Sequence, residues 1–335
     1  MASLPLLPEL HKPPLVGIAR LASQAESLRQ GHEVEYFTLA VKSLLNRCTV
    51  ARMPFTWTIN PYRGCEFACK YCYARYTHEF MEMREGRDFE QRIFVKQHAA
   101  ELLRQELRQV KDGEEIAIGT ATDPYQPAER RFQVTQAVLE EFARHCGLDI
   151  GIVTKSDLVL GDAQLLREVA KNNRLFVNLT ITTLDAKLAR LLEPRAPRPD
   201  LRLEAVRQLN LAGVAAGVIC APVLPGITDA PRDLEALVSA TAKAGGKYIF
   251  ANSLFLKPCS AQVFLPFLER EFPNLVESYR QRFRERAFLP AAYRKRLSTL
   301  MARLRLKYGL RNDYDRYSER NHPIVARASE QLTLF

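Results

Sequence analysis

The sequence alternates short apolar, β-branched runs with stretches of helical spacing, and this alternation limits the fold more than any other feature. Six such runs lie at residues 56–60, 115–119, 149–154, 175–182, 214–221 and 247–251. Between the first two, Leu103, Leu107 and Val110 fall at i, i+4 and i+7, which indicates the apolar face of a helix. Parallel neighbours in a sheet need a crossover, which is usually a helix. The pattern therefore predicts an α/β fold of about six βαβ units, with ligands at the carboxyl ends of the strands.

No segment of the sequence is typical of a membrane anchor or a secretory signal. The first residues lack a basic region and are broken by prolines before an apolar run could form. The longest uncharged stretch, residues 209–228, contains prolines and glycines and is interpreted as a helix end, a buried strand and a loop. Without a signal peptide, the seven cysteines indicate a reducing, cytoplasmic protein, in which clustered thiols bind metal more often than they pair.

Three of the cysteines lie close together after the first predicted strand. Cys65, Cys69 and Cys72 form a C-x3-C-x2-C array. A closed structural zinc or iron–sulfur site uses four protein ligands, so three thiolates on a four-iron cluster leave one iron open to another ligand. The alternative is a zinc site completed by His78 or Cys48, although His78 lies six residues beyond Cys72, outside the usual ligand spacing.

The array and its flanking residues resemble a known family. With Tyr71 before its third cysteine, the array is similar to that of the radical S-adenosylmethionine (SAM) superfamily. The longer string from Asn60 to Arg75, N-P-Y-R-G-C-E-F-A-C-K-Y-C-Y-A-R, resembles the spore photoproduct lyase-like branch, also described as DNA repair photolyase-like. The resemblance spans roughly residues 56–257 and implies an α/β fold with a partial (β/α)6 TIM-type barrel and an α-helical C-terminal extension.

The resemblance also implies the cofactors and the reaction. A [4Fe–4S] cluster on the three cysteines would bind SAM through its open iron and cleave it reductively to a 5′-deoxyadenosyl radical. That radical abstracts hydrogen from the substrate, here a nucleic-acid-related one, in a lyase-like reaction of DNA repair. An external one-electron donor such as flavodoxin or ferredoxin would reduce the cluster. The cofactors carry the chemistry, while the protein positions the radical and excludes water.

Contacts to the methionine part of SAM are implied after the second and third predicted strands. Thr120, Thr122 and Asp123 match the segment that holds the methionine ammonium in the family. Lys155 matches a lysine that can pair with the methionine carboxylate. From the residues alone, an Asp-Pro turn with a local hydroxyl hydrogen bond and a solvated strand-end lysine are the alternatives.

The remaining SAM contacts are implied for the fourth and fifth strands. The fourth strand alternates apolar with polar residues, which places Asn178 and Thr180 on one side, facing the ribose and sulfonium inside a barrel. On a surface strand the same alternation would give one wet face. In the family the end of the fifth strand forms an adenine wall, so Ala221 and Pro222 match adenine contacts, with Tyr71 as a further one. No catalytic residue is assigned.

One departure from the family pattern concerns the hydrogen donor. Photoproduct lyases carry a cysteine in the second-strand segment that donates hydrogen to the product radical, and Thr120 stands at the matching position. A threonine O–H is too strong to donate hydrogen readily to a carbon radical. Cys220, Cys259 and Tyr125 are candidates for a replacement donor, with structural roles as the alternative.

The sequence is divided into four regions on these grounds. Residues 1–55 are an N-terminal extension that is weakly helical, and residues 56–260 are the radical SAM core barrel. Residues 261–325 form a basic helical C-terminal region, and residues 326–335 form a flexible tail.

The C-terminal region carries the whole excess of positive charge. Eleven basic residues and one acid, Glu285, lie from Arg280 to Arg311, which equals the net charge of +10 of the complete chain. A solvated helical face is the usual explanation of such a run. An excess of this size also predicts sequence-tolerant, salt-sensitive binding to the phosphate backbone of DNA or RNA.

The last five residues suggest a second partner. The tail begins with Gln331 and ends with Phe335 in the sequence Q-L-T-L-F, which resembles the short peptide by which many bacterial repair proteins dock on the DNA sliding clamp. A tail that docks on its own barrel is the alternative. An apolar anchor on a flexible tether suits a pocket on a partner protein.

Three functions remain open from the sequence. The first is a radical SAM enzyme that acts on a nucleic-acid-related substrate. The second is a non-catalytic iron–sulfur or zinc protein that binds nucleic acid and uses the same cysteines structurally. The third is a radical SAM enzyme that acts on a protein or a metabolite.

Overall fold

The computed structural model describes residues 15–31, 33–49 and 53–311. Its strands are β1 Ser27–Gly31, β2 Val34–Leu39, β3 Leu45–Arg47, β4 Trp57–Ile59, β5 Tyr62–Arg63, β6 Arg92–Lys96, β7 Glu115–Ile118, β8 Asp149–Thr154, β9 Arg174–Thr180, β10 Ala215–Val223 and β11 Ile249–Ser253. Its helices are α1 Gly17–Ser23, α2 Tyr76–Glu79, α3 Asp88–Gln91, α4 Ala99–Glu106, α5 Glu129–Phe132, α6 Val134–Ala143, α7 Ala163–Asn172, α8 Ala186–Leu192, α9 Pro199–Leu211, α10 Pro231–Lys243, α11 Pro258–Glu271, α12 Val276–Phe283 and α13 Ala291–Tyr308.

The larger sheet contains seven strands in the order β11-β10-β9-β8-β7-β4-β3. Six of these strands, namely β4 and β7 to β11, pair in parallel. At one edge, β3 pairs antiparallel with β4. Each of these six parallel strands overlaps one of the six apolar runs of the sequence. The predicted α/β fold with a mostly parallel sheet is therefore confirmed, and it is consistent with a partial TIM-type barrel.

Alternation along the strands separates the helix side of the sheet from the barrel interior. Val177 and Leu179 of β9 belong to the same hydrophobic core as Val206 of α9. Successive side chains of a strand point to opposite faces, so Asn178 and Thr180 face the interior, and both are buried there. The structure shows the inward orientation predicted for these two residues, and their role as ligand contacts stays a prediction.

The N-terminal region differs from its predicted weakly helical character. Among the residues of this region that the structure describes, only α1 is helical, while β1, β2 and β3 lie between residues 27 and 47. A second sheet has the order β1-β2-β6-β5, in which β2 pairs in parallel with β6 more than 50 residues further along the chain. The prediction was wrong because only Val34 and Leu39 of β2 are buried, so the strand lacks the continuous apolar run that marks the barrel strands.

The C-terminal helices pack on the barrel. Leu297, Met301 and Leu304 of α13 belong to the main hydrophobic core, and α13 contacts α10 and β11. Phe264 and Phe267 of α11 lie in a second core that also contains Cys65 and Cys69. The division of the chain into four regions remains a prediction. In the part of the chain that the structure describes, no helix is both long and apolar enough to cross a membrane.

Position 217 on β10 requires glycine because Tyr248 packs directly against its backbone inside the barrel. A Cβ atom at this position would lie 2.6 Å from both the ring and the carbonyl oxygen of Tyr248. We expect Gly217→Ala to lower the free energy of unfolding by about 1–3 kcal/mol, because overpacking a filled core forces neighbouring atoms to move. Gly161→Ala is the matched control, since a Cβ there meets nothing within 4 Å. Equal urea midpoints for the two variants would contradict this account.

Candidate active site

The three cysteines of the array lie on the loop between β5 and α2. Cys65 and Cys69 are buried and Cys72 is half-buried. Burial raises the pKa of all three thiols, that of Cys69 to about 12, and the Cys72 thiol raises the pKa of both Cys65 and Cys69 further. Cys65 and Cys69 belong to one hydrophobic cluster and Cys72 packs against it, so the loop brings all three thiols into one neighbourhood.

The loop is held in place by buried polar contacts from the segment after β7. Gln126, which is fully buried, accepts a hydrogen bond from the Glu66 backbone N–H at 3.0 Å and donates to the Gly64 carbonyl at 3.2 Å. The Glu66 carboxylate in turn accepts from the Ala128 N–H at 2.8 Å. These bonds satisfy backbone groups that a loop buried in this way would otherwise leave unpaired. The position of the cysteines is therefore fixed by the barrel.

The donor set fits a four-iron cluster. Three cysteine thiols on one loop, each able to ligate a separate iron, leave the fourth iron without a protein ligand. His78, the proposed fourth zinc ligand, is hydrogen-bonded through Nε2 to the Arg92 carbonyl oxygen at 3.0 Å. Within residues 15–31, 33–49 and 53–311, no group of three or more His, Cys, Asp or Glu side chains is placed to hold a single metal ion.

The predicted ammonium-binding segment after β7 is already engaged with the protein. Thr122 donates from Oγ1 to the Gly64 carbonyl at 2.5 Å. The Asp123 carboxylate accepts from Thr154 Oγ1 at 2.6 Å and from the Lys155 backbone N–H at 2.7 Å. Burial raises the pKa of Asp123, although these hydrogen bonds lower it, and the net shift is upward. The local-turn alternative thus describes the observed bonds, and the role of these residues in SAM binding remains a prediction.

Thr120 lies at the edge of the same segment and is half-buried. Its hydroxyl accepts a long hydrogen bond of 3.4 Å from Asn60 Nδ2, and its carbonyl oxygen accepts one from the Tyr73 hydroxyl. Asn60 Oδ1 also accepts from the Ala121 N–H at 2.7 Å. Thr120 is therefore close to the cysteine loop, because Tyr73 follows directly after Cys72.

Lys155 and Tyr71 meet at the carboxyl end of β8. The Lys155 Nζ atom lies 5.8 Å from the centre of the Tyr71 ring. Cys69, Glu193 and Asp123 raise the pKa of Lys155, although burial lowers it, and the net shift is upward. A cation held beside a cysteine ligand suits the carboxylate-binding role that the resemblance implies.

The two predicted contacts on β9 are hydrogen-bonded within the protein, Asn178 through its side chain and Thr180 through its backbone carbonyl. Asn178 donates from Nδ2 to the Ile152 carbonyl at 2.9 Å and accepts from the Tyr248 hydroxyl at 2.9 Å. The Thr180 carbonyl oxygen accepts from Arg202 at 2.9 Å. These bonds make the interior wall rigid. Whether the two side chains also contact SAM stays a prediction.

The predicted adenine contacts lie further along the same edge. Ala221 and Pro222 are half-buried near the end of β10, where the parallel strands present their carboxyl ends. Cys220, one of the candidate hydrogen donors, is fully buried on the same strand, and it belongs to the main hydrophobic core. Ala221 and Pro222 are thus accessible at the expected edge, whereas Cys220 is a packing residue.

Sequence reasoning missed a buried ion pair beside the cysteine loop. Glu193, after α8, and Arg202, in α9, are 2% and 1% exposed. Their side chains lie 2.6 Å apart, and Glu193 also accepts a hydrogen bond from the Tyr71 hydroxyl. Both residues fall in charged, proline-containing sequence that is typical of a surface, so no local signal identified them.

The basic C-terminal stretch is largely exposed. Ten of its eleven cations are exposed and Arg305 is half-buried. Three of the exposed cations are paired with acids, namely Arg280, Arg284 and Lys307. Among the described residues, those without an ion pair include Arg282, Arg286, Arg294, Lys295, Arg296 and Arg303. The tail from Gln331 to Phe335 lies outside the described residues.

Comparison with known proteins agrees with this site. The family model described as the radical SAM superfamily matches residues 59–238, which is more than half of the chain. An uncharacterised protein of Mycobacterium tuberculosis is 36% identical over 283 residues, which cover 84% of this chain and 83% of that protein. An uncharacterised protein of Methanocaldococcus jannaschii is 27% identical over 245 residues, covering 73% of this chain and 86% of that protein.

Solved structures show the same fold. A spore photoproduct lyase complexed with dinucleoside spore photoproduct aligns with a TM-score of 0.61 at 16% identity, covering 88% of this chain and 84% of that one. A mutant of the same enzyme with bound AdoMet and dinucleoside spore photoproduct aligns with a TM-score of 0.61 at 16% identity, covering 82% and 79%. The cysteine loop, the parallel sheet and the matched family model together show that this chain belongs to the radical SAM superfamily.

Proposed function

We propose that the protein is a radical SAM enzyme that abstracts hydrogen from a nucleic-acid-related substrate, in a lyase-like reaction of DNA repair. It would bind a [4Fe–4S] cluster through Cys65, Cys69 and Cys72 and bind SAM at the carboxyl end of the sheet. The observation that carries the proposal is that one loop at that edge packs all three thiols together, Cys65 and Cys69 buried in one cluster and Cys72 half-buried against it. When bound, the reduced cluster supplies the electron that cleaves SAM to the 5′-deoxyadenosyl radical.

The residues of the chain would bind and orient SAM and would shield the radical from water. Lys155 provides a cation beside Cys69 for the methionine carboxylate, and Tyr71 fixes one wall through its hydroxyl. Asn178 is held rigidly by two hydrogen bonds, so the interior does not rearrange when a ligand enters. A buried, prearranged wall keeps water and stray hydrogen donors away from a reactive radical.

A nucleic-acid substrate is supported by the unpaired cations of the C-terminal helices. Arginine and lysine side chains contact phosphate oxygens without reading sequence. The structural relatives described above hold a dinucleoside photoproduct, which is a nucleic-acid component. A protein or metabolite substrate, with the basic helices used only for recruitment, is the competing proposal.

Charge reversal on α13 tests the basic surface. We expect the variant Arg294→Glu, Lys295→Glu and Arg296→Glu to bind DNA much more weakly, with a shallower dependence of affinity on salt, because each lost phosphate contact reduces the salt slope by about 0.9 for duplex DNA. The control is Arg108→Glu with Lys111→Glu, exposed cations near β7, distant in the sheet order from β11. Equal salt slopes for the two variants, measured by fluorescence anisotropy, would exclude this surface.

Transfer of label identifies the substrate class. The reconstituted, reduced protein is incubated with SAM deuterated at the 5′ carbon together with duplex DNA, single-stranded DNA, RNA or a protein extract. We expect deuterium in a nucleic acid, or substrate hydrogen in the 5′-deoxyadenosine that is released. Transfer to or from protein alone, with none for any nucleic acid, would replace the proposal with the protein-substrate alternative.

Partners and location complete the proposal. An external one-electron donor such as flavodoxin or ferredoxin would reduce the cluster, and the tail from Gln331 to Phe335 would dock on a DNA sliding clamp. All seven cysteines occur as free thiols, which supports a reducing, cytoplasmic location.

A further inference from the structure

The buried pair of Glu193 and Arg202 is hydrogen-bonded to several of the elements that surround the cysteine loop. Arg202 donates to the Thr180 carbonyl at 2.9 Å and to the Pro197 carbonyl at 2.8 Å, besides pairing with Glu193. Glu193 accepts from the Thr182 hydroxyl at 3.1 Å. The pair therefore joins strand β9, helix α9 and the segment that follows α8.

The same segment is tied to the cysteine loop by backbone bonds. The N–H of Lys70, the residue after Cys69, donates to the Leu192 carbonyl at 2.9 Å. The Arg195 N–H donates to the Phe67 carbonyl at 3.4 Å. With the Tyr71 hydroxyl on Glu193, these contacts place the carboxylate immediately behind the loop that carries the thiols.

Both members of the pair are ionised. Burial raises the pKa of Glu193, but the cations Arg202 and Lys155 outweigh it and hold the pKa below its ordinary value. Burial likewise opposes the charge on Arg202, while Glu193 raises its pKa above the ordinary value.

A buried ion pair is a poor way to add stability. Desolvating two charges costs several kcal/mol each, and well-packed apolar residues of similar volume often serve as well or better. A pair in this position does, however, fix the local charge. Next to a cluster that becomes more negative on reduction, uncompensated cations favour the reduced state and uncompensated anions the oxidised state.

We propose that Glu193 and Arg202 are positioning residues that set the charge behind the cluster and thereby its reduction potential. The Glu193 carboxylate cancels the Arg202 cation behind the loop, so the intact pair presents no net charge to the cluster. The inference rests on the proposed function only in requiring that the three cysteines hold a cluster.

The test is a redox titration of the reconstituted protein, followed by electron paramagnetic resonance. Glu193→Gln keeps the shape but removes the negative charge, so the midpoint potential is expected to shift to a more positive value. In the double variant Glu193→Gln with Arg202→Gln both charges are gone, and the potential is expected to return towards the wild-type value. A structural defect would instead make the double variant deviate further than the single one.

Two further variants make the result decisive. Glu193→Asp keeps the charge and should stay close to the wild-type potential. Glu141→Gln removes a different buried carboxylate, 1% exposed and paired with Arg104 on the outer helices, and should leave the potential unchanged. The proposal is overturned if Glu193→Gln does not shift the potential, if the double variant deviates further, or if Glu141→Gln shifts it equally.

Failure to load the cluster is also informative. If Glu193→Gln does not load, the double variant, which lacks the uncompensated cation, should load with a near-wild-type potential. If neither loads while Glu141→Gln loads fully, the pair has a structural role and the proposal is wrong. The titration does not depend on SAM cleavage, so a protein that shows these shifts but releases no 5′-deoxyadenosine would refute the proposed function alone.

Discussion

Replacing Cys69 with alanine is expected to abolish cluster binding and reductive SAM cleavage. Cys69 is the central thiol of the loop, it is 8% exposed, and it interacts electrostatically with Cys72. Two remaining thiolates would leave two irons without a protein ligand, so the cluster is not retained. After anaerobic reconstitution, iron content and the iron–sulfur absorption band should fall to the level of protein that received no iron, and 5′-deoxyadenosine should not be formed.

The control for this variant is Cys146→Ala. Cys146 is a half-buried free thiol that follows α6 and lies outside the cysteine loop. It should load iron and cleave SAM as the wild type does. A Cys69→Ala protein that keeps the full iron content would show that the cluster, or another metal site, uses a different set of ligands.

Replacing Arg202 with methionine is expected to cause the largest loss of stability. The change leaves Glu193 buried without its cation, and breaking a buried pair by removing one partner costs about 3–5 kcal/mol. The measurement is urea unfolding of the variant and the wild type at the same pH. The control is Arg198→Ala, which removes an exposed pair with Asp200 and should cost less than about 1 kcal/mol.

The pH dependence of the wild type provides a second readout of the same pair. The pKa of Glu193 is held below its ordinary value, so the stability from its ionisation is fully present above the ordinary carboxyl pKa of about 4.3. That stability is lost as the pH falls through the lowered value in the folded protein. The difference between wild type and Arg202→Met should therefore shrink in acid, and a constant difference would contradict the assignment.

The barrel could be predicted from the sequence because each of its strands is a local apolar run. Residues 149–154 were predicted as a strand and form β8 with the same bounds. The cysteine array was equally visible, since its spacing is short and its residue type is rare. Features whose signal lies within a few neighbouring residues are the ones that sequence analysis recovered.

Features that depend on distant residues could not be predicted in this way. Strand β2 pairs with β6, and Glu35 and Thr38 interrupt its apolar residues, so no continuous apolar run marks it in the sequence. Glu193 and Arg202 read as surface charges because the partners that hold them in the interior, Tyr71 and Thr180 among them, lie far away in the sequence. Burial of a charge is decided by its partner, and the partner is set by the tertiary fold.

The segment after β7 shows how two predictions can describe the same residues. Asp123 was expected either to close a local turn or to hold the SAM ammonium. It accepts from the Tyr125 N–H at 2.9 Å, which is the local turn, and from Thr154 and Lys155 across to β8. A carboxylate with this many internal donors fixes the edge of the site whether or not it also touches SAM.

Release of 5′-deoxyadenosine tests the central claim most directly. The wild-type protein is reconstituted anaerobically to about four irons per chain, reduced with dithionite and incubated with SAM, and the product is measured by chromatography and mass spectrometry. The account predicts 5′-deoxyadenosine that depends on both the reductant and the cluster. Fully loaded, reduced protein that binds SAM but releases none of it would contradict radical SAM catalysis and favour a structural iron–sulfur site.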